Sequence, residues 1–383
     1  MDKNDIIAKA QLGDANAQYE LGEMYYRGNE VEQSYQMAVK WYLSAAEKGN
    51  VLAQYSLGYC YKNGEGVETD EAKAVQWYTK AANQGHAESQ FRLGLCYYYG
   101  EGVDMDEPHA AKLFTMAAEQ GHADAQYYVG NCYWGGFGVD EDQVEASKWF
   151  DLSAKQGYPD AIYYVGRCYE KGIGRANDEA EAVKWYLMAA EKNVTDAFGV
   201  MSLCYYYGRG VDKSIPKCIE WALKAAERGD ENIYQFLGAL YHDEGDYVNA
   251  VKWYVKAGKN GDADAQRYVG NAFYSGVGAD KDYTQAFMWY LMSAENGNVD
   301  SQLSVGSAYL NGEGVTQNYA QAYNWFEKAA LAGDDKGQAM LATMLILGQG
   351  CEKDFNMAAY WLKKAAAQGN QSAIKVLKDL NWN

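Results

Sequence analysis

Eight Gly-x-Gly elements punctuate this chain, among them Gly64-Glu65-Gly66 and Gly100-Glu101-Gly102. Glycine spacing of this kind can cradle a phosphate, because backbone N–H groups converge on an anion at a helix start. That chemistry needs a preceding strand and a helix opening directly on the loop. Here each element follows a helical run, and several residues separate it from the next one. Glu65, Glu101 and Glu313 would also repel the anion. The glycines therefore read as helix C-terminal turns.

Five of the seven cysteines recur at steps of 36 residues: Cys60, Cys96, Cys132, Cys168 and Cys204. Helices stacked one repeat apart lie about 8–10 Å from each other, beyond the roughly 7 Å between Cα atoms that a disulfide permits. Met24, Leu240, Ala272, Ala308 and Met344 share the slot, which marks it as apolar and buried. Buried free thiols are expected, in keeping with a reducing compartment. The four histidines show neither Cys-x-x-Cys nor His-Glu-x-x-His spacing, so no metal is expected. Ser-x-x-Lys occurs at Ser214–Lys217 and Ser372–Lys375, without the Ser-Asp-Asn and Lys-Thr-Gly elements that such a nucleophile needs. Gly-x-Ser-x-Gly is absent. The chain reads as no enzyme, with no catalytic residue and no cofactor.

The elements that carry these residues follow from composition. Only 3 prolines stand beside 40 glycines in 383 residues, which suits a chain helical almost throughout with glycine as punctuation. Hydrophobic content of 48% excludes a disordered chain. No apolar run approaches the roughly 18 residues of a membrane span, and the start, MDKNDIIAKAQLGD, carries no signal-like pattern. A cytoplasmic protein is expected, periplasmic or secreted only if a leader was removed. The net charge of −18 disfavours nucleic acid and anionic lipid as partners.

Three ladders run in phase. The first is Gly22, Gly58, Gly94, Gly130, Gly166, Ser202, Gly238, Gly270, Gly306 and Ala342. The second runs through Trp41 and Trp77, is broken by Leu113, and resumes from Trp149 to Trp361. The third is the small residue three before each of these, Ala38 to Ala358. Every step is 36 residues except that from 238 to 270, which is 32. Each period parses into helix A, as in ADAQYYVGNCYWGG, and helix B, as in DQVEASKWFDLSAKQG. Helix B is expected to start at Ser34, Asp70, Asp106, Asp142, Asp178, Ser214, Asp246, Asp282, Asn318 and Asp354, all residues able to cap an orphan backbone N–H. It ends at a glycine in every repeat but one, where Asn193 stands. No single pair can bury its apolar face alone, so the pairs must stack. The expected fold is all-α: an α/α solenoid of about ten 36-residue helix-turn-helix repeats over 14–369. Unpaired capping helices are expected at 1–13 and 370–383.

The pattern A-x-A-Q-x-x-L-G-x-x-Y-x-x-G-x-G-V, followed by D-x-x-x-A-x-x-W-Y-x-x-A-A-x-x-G, resembles the Sel-1-like repeat over essentially the whole chain. LAQYSLGYCYKNGEGVETDEAKAVQWYTKAANQG fits nearly throughout. The resemblance implies a right-handed superhelix akin to tetratricopeptide repeat proteins, binding other proteins on its concave side. In bacteria it implies adaptors, regulators, host-interaction factors and immunity proteins. Two departures fall mid-chain. The seventh repeat, near 238–250, lacks four residues and its Gly-x-Gly-Val loop, and Ile162, Phe198 and Tyr234 replace the usual helix-A glutamine.

The partner surface is sought where repeats vary. On helix A, the slots two before and one after the ladder glycine share a face, extended by the slot five after it. The candidates are Arg92, Leu95, Tyr99; Tyr128, Asn131; Tyr164, Arg167, Lys171; Leu203, Tyr207; Phe236; Tyr268 and Asn271, with Trp134 added beside them. Tyr and Arg are enriched at interface hot spots. The expected function is a non-enzymatic scaffold or adaptor, monomeric, holding another protein or an extended peptide. The alternatives are an immunity protein neutralising a basic toxin and a glycan or peptidoglycan binder using tyrosine platforms.

Overall fold

The computed structural model describes residues 2–382, and the expected end segments 1–13 and 370–383 each include one residue, 1 and 383, outside that range. Helix α1 (Lys3–Gln11) opens the chain. It is followed by α2 (Ala15–Arg27) and α3 (Tyr35–Glu47), α4 (Val51–Asn63) and α5 (Glu71–Asn83), and α6 (Ala87–Tyr99) and α7 (Glu107–Glu119). Next come α8 (Ala123–Gly135) and α9 (Gln143–Lys155), then α10 (Pro159–Lys171) and α11 (Glu179–Glu191). At mid-chain stand α12 (Thr195–Tyr207) and α13 (Ile215–Glu227). Beyond them lie α14 (Ile233–Asp243) and α15 (Tyr247–Lys259), α16 (Ala263–Ser275) and α17 (Tyr283–Glu295), and α18 (Val299–Asn311) and α19 (Tyr319–Leu331). Helices α20 (Asp335–Leu347), α21 (Phe355–Ala367) and α22 (Gln371–Asp379) complete an α solenoid of repeated helix pairs. The chain forms two compact units: one runs to Cys204 and takes in Gly208–Asp212, and the other holds Tyr205–Tyr207 and the chain from Lys213.

Local chemistry sets the helix boundaries. All ten expected helix-B caps accept a backbone N–H through their side chains. Most helix-A caps do the same, from Asp14 to Asn370. Tyr158 and Val194, before α10 and α12, make no side-chain cap bond. Within each unit, short connections turn the chain back, so helices adjacent in sequence pack antiparallel. In the seventh repeat only Glu244–Asp246 separate α14 from α15, which still pack against each other.

The glycine ladder has a packing cause. Within each unit, the second aromatic of helix B lies flat on the ladder glycine of helix A, as Tyr42 does on Gly22 and Tyr290 on Gly270. A Cβ at Gly58 would stand 2.5 Å from the Tyr78 ring. The two rungs without glycine, Ser202 and Ala342, are followed twenty residues later by Ala222 and Leu362 instead of an aromatic.

A buried glutamine ladder binds most helices A to the preceding helix B. Gln18, Gln54, Gln90 and Gln126 donate from Nε2 to the carbonyls of Ala10, Ala46, Ala82 and Ala118. Their Oε1 atoms accept from the side chains of Lys48, Gln84, Gln120 and Gln156. In the second unit Gln266 and Gln338 are held likewise by Asn296 and Gln368. Ile162 interrupts this ladder as a fully buried core side chain.

Candidate functional site

Helix A carries three kinds of face. Ala125, Gln126, Val129 and Cys132 of α8 go into the core, Gly130 receives Phe150, and the other slots are half-buried or exposed on the outward side. The fourteen candidates all fall on that outward side. Eight are half-buried: Arg92, Leu95, Tyr128, Asn131, Trp134, Tyr164, Arg167 and Phe236. Six are exposed: Tyr99, Lys171, Leu203, Tyr207, Tyr268 and Asn271.

In the first unit, seven or more rings join into one shelf across α6, α8 and α10. Tyr98 meets Tyr128 edge-on at 6.2 Å and 84°, and Trp134 meets Tyr164 at 5.4 Å and 75°. Both contacts link the slot four after one ladder glycine to the slot two before the next. The Tyr99 and Tyr128 hydroxyls lie 3.4 Å apart. Tyr127 bridges Tyr128, Tyr158 and Tyr164, with ring centres 4.8–6.0 Å away. The shelf is pinned from below, because Phe150 stacks on Tyr164 at 4.6 Å and 18°, and Phe114 lies 5.0 Å from Tyr128. Tyr128 and Tyr164 are therefore rigid platforms, with little rotamer freedom left to lose on binding.

Sequence reasoning missed Tyr98, Tyr127 and Tyr158. The slot four after the glycine adjoins the slot five after it, and Tyr26, Tyr98, Trp134, Tyr206 and Tyr274 occupy it. That aromatic run was the available signal. Tyr158 stands where most helices A carry a polar cap, and its ring packs on Tyr127.

Charge is divided along the shelf. Asp124, Asp160 and Asp196 sit in the first turns of their helices. Burial, then neighbouring Asp196, raises the Asp160 carboxyl above its ordinary range. Toward the other end, Arg167 donates from Nη1 to the Tyr163 hydroxyl at 3.1 Å, and the Lys171 ammonium lies 5.8 Å from the centre of the Trp134 ring. Burial raises the Tyr127, Tyr128 and Tyr164 hydroxyls, which stay protonated and able to donate.

The second unit repeats the geometry in a separate place. Tyr206 meets Phe236 at 5.4 Å and 75°, and His242 meets Tyr268 at 6.0 Å. Tyr268 stacks on Tyr254 at 4.7 Å with planes 3° apart. This pair and Asn271 line a cleft of about 330 Å³, together with His242 of α14, Tyr247 of α15 and Ser275 of α16. A sister cleft of about 230 Å³ follows, walled by Tyr274, Tyr290 and Asn311. Leu203 and Tyr207 are exposed on α12, and Tyr207 touches Tyr206.

Among the described residues, no group of three or more His, Cys, Asp or Glu could hold a metal ion. No described helix is long and apolar enough to cross a membrane. The five cysteines from Cys60 to Cys204 are free and buried, Cys218 is buried, and Cys351 is free and half-buried.

The family model described as Sel1 repeat matches ten segments: residues 15–50, 51–86, 87–122, 123–158, 159–194, 199–230, 235–262, 263–298, 299–334 and 335–370. Among solved structures, the chain is similar to a protective antigen present in uropathogenic Escherichia coli strains displaying an SLR fold. The identity is 34%, over 97% of this chain and 81% of that one, with a TM-score of 0.76. A Sel1 repeat protein from Oxalobacter formigenes is 27% identical over 98% of this chain and 89% of its own, with a TM-score of 0.35. An immunity protein from Pseudomonas aeruginosa is 22% identical over 62% of this chain and 82% of its own, with a TM-score of 0.33. No curated protein matches the chain.

Proposed function

This chain belongs to the Sel1 repeat family, and on that premise we propose that it is a non-enzymatic scaffold holding a protein or extended peptide on the helix-A shelf of α6, α8 and α10. Repeats of this kind bind other proteins. The observation that carries the choice of place is the pinned aromatic surface running from Tyr98 through Tyr128 and Trp134 to Tyr164. Rigid aromatic platforms with hydroxyl and amide handles supply contact area at small entropic cost. The test is capture of a partner by the full chain and by a Tyr99→Ala, Trp134→Ala, Lys171→Ala variant of unchanged helicity. Loss of one specific protein supports the shelf, and its full retention sinks it.

Neutralisation of a basic toxin is a narrower form of this reading and draws on the net charge of −18. Its signature is an association rate that falls steeply with ionic strength. Binding of a glycan is a second reading, favoured by the stacked Tyr254–Tyr268 pair, with Asn271 and Ser275 beside it, at the mainly apolar cleft of the second unit. Sugar binding there would be nearly independent of salt and lost in Tyr268→Ala.

A further inference from the structure

We propose that the two neighbouring clefts of the second unit hold successive turns of a proline-rich segment in the left-handed polyproline II conformation, with one proline in each cleft. The proposal stands apart from the shelf of the first unit, and it gives the first cleft a peptide in place of the sugar of the second reading. The two clefts are built alike. Tyr247, Ala250, Val251 and Tyr254 of α15 line the first; Tyr283, Ala286, Phe287 and Tyr290 of α17, each 36 residues further on, line the second. Tyr254 and Tyr290 are buried, whereas Tyr247 and Tyr283 stand exposed at the rims. Each rim is an edge-on ring pair: His242 meets Tyr247 at 5.3 Å and 70°, and Tyr274 meets Tyr283 at 5.3 Å and 62°. The clefts adjoin directly, because the Tyr290 hydroxyl of the second donates to Asn271 Oδ1 of the first at 2.8 Å.

Two like clefts side by side select a ligand by its period. Helices stacked one repeat apart lie about 8–10 Å from each other. Polyproline II advances about 3.1 Å per residue with three residues per turn, so residues i and i+3 face the same way about 9 Å apart. A β-strand sets same-face side chains only about 6.7 Å apart and misses the second cleft. An α-helix covers the step only in about seven residues, so a three-residue spacing is the signature of the conformation proposed. The donors fit as well. Asn271 Oδ1 is taken by Tyr290, and its Nδ2 donates to nothing among the described residues. Ser307 occupies the same slot one repeat on and lines the second cleft. Polyproline II has no internal hydrogen bonds, which leaves its carbonyls open to such donors. Proline lays an apolar ring on the tyrosines, and its fixed φ lowers the cost of ordering the segment. A sugar ring carries hydroxyls all round, and the mainly apolar first cleft would leave most of them unpaired.

The experiment is fluorescence anisotropy of the full chain with labelled Pro-Gln-Ser-Pro-Gln-Ser-Pro-Gln-Ser-Pro. Its partner probe is Pro-Gln-Pro-Ser-Pro-Gln-Pro-Ser-Gln-Ser, which has the same composition and no two prolines three apart. A labelled hexamer of N-acetylglucosamine is the third probe. Wild type is compared with Tyr268→Ala, with Tyr283→Ala and with Tyr360→Ala, an exposed tyrosine of α21, each verified by circular dichroism melting. The expected result is binding of the first peptide at least about tenfold tighter than its partner probe. Each cleft variant should weaken it about tenfold, and Tyr360→Ala should leave it unchanged. Equal binding of the two peptides would overturn the period. Binding untouched by both cleft variants would overturn the site. Failure of the first peptide to bind, with or without capture of the sugar, would overturn the proposal outright. None of these results touches the shelf reading, since no shelf residue is altered.

Discussion

A Cβ placed on Gly130 would stand 2.5 Å from Cε1 of Phe150, because the ring lies flat against the glycine backbone. The contact joins α8 to α9, and its equivalents recur in each unit, from Gly22–Tyr42 to Gly306–Phe326. The same ring carries Tyr164 on its other side at 4.6 Å. One glycine thus sets the height of the platform on which a partner is proposed to rest.

Gly130→Ala is expected to destabilise the protein by about 1–3 kcal/mol, since the methyl must displace a fully buried ring. Urea unfolding reads this as a lower midpoint. The cost should vanish when the substitution is made in a Phe150→Leu background, an arrangement that Ala342 and Leu362 already share in the core of the second unit. An equal loss in both backgrounds would mean that the ring is not the obstacle.

Ala332→Gln is expected to stabilise by about 1 kcal/mol. Gln302 Oε1 is buried without a hydrogen-bond partner, and Ala332 stands thirty residues later, where Gln84, Gln120, Gln156 and Gln368 supply the donor in other repeats. Ala332→Leu serves as the control, and a gain of equal size there would refute the hydrogen-bond explanation.

Acid should weaken the junction of α6 and α8. His122, hydrogen-bonded at 2.8 Å, and Arg92 hold the Glu88 carboxyl down at about 2, against an ordinary value of 4.5. A folded-state value below the unfolded one gives stability that is full above 4.5 and lost as pH falls from there toward 2. Between pH 6 and pH 3 the urea midpoint of wild type should therefore fall further than that of Glu88→Gln. Parallel curves would show that Glu88 contributes nothing to acid sensitivity.

Thiol reactivity should follow burial. Burial pushes the Cys60 and Cys132 thiols up to about 12 and those of Cys96, Cys168 and Cys204 up to about 11. Iodoacetamide acting on the native protein at pH 8 should modify half-buried Cys351 first, and the buried thiols only on unfolding. Mass spectrometry that finds Cys60 labelled as fast as Cys351 would contradict the packing described.

Helix starts and the repeat register are legible in the sequence because their chemistry is local. Asp142 caps α9 through Glu145, three residues away, as its residue type and position require. The glycine ladder is equally visible, but its cause is not, since the ring that demands Gly130 stands twenty residues along the chain. The outward face is legible from the variability of its slots. What those slots cannot reveal is that Tyr128 and Tyr164 lie on core rings, or that Tyr127 and Tyr158 complete the shelf across two repeats. Those contacts depend on how one repeat sits on the next, which spacing within a repeat does not contain. The charge arrangement is hidden only in part: Arg167 and Glu170 stand three residues apart on α10, whereas Arg209 reaches Glu170 only in space.

The central claim, a partner on the helix-A shelf, is tested most directly by capture on two surface variants of the full chain. Tyr99→Ser with Lys171→Ser alters the shelf at exposed positions, Tyr99 being 57% exposed. Leu152→Ser with Met188→Ser alters exposed residues of helix B in the same repeats. Quantitative mass spectrometry of proteins retained from native lysate should show one partner held by wild type and by the helix-B variant and lost from the shelf variant. A partner kept by the shelf variant and lost from the helix-B variant would place the binding face on the opposite side of the repeats and contradict the account.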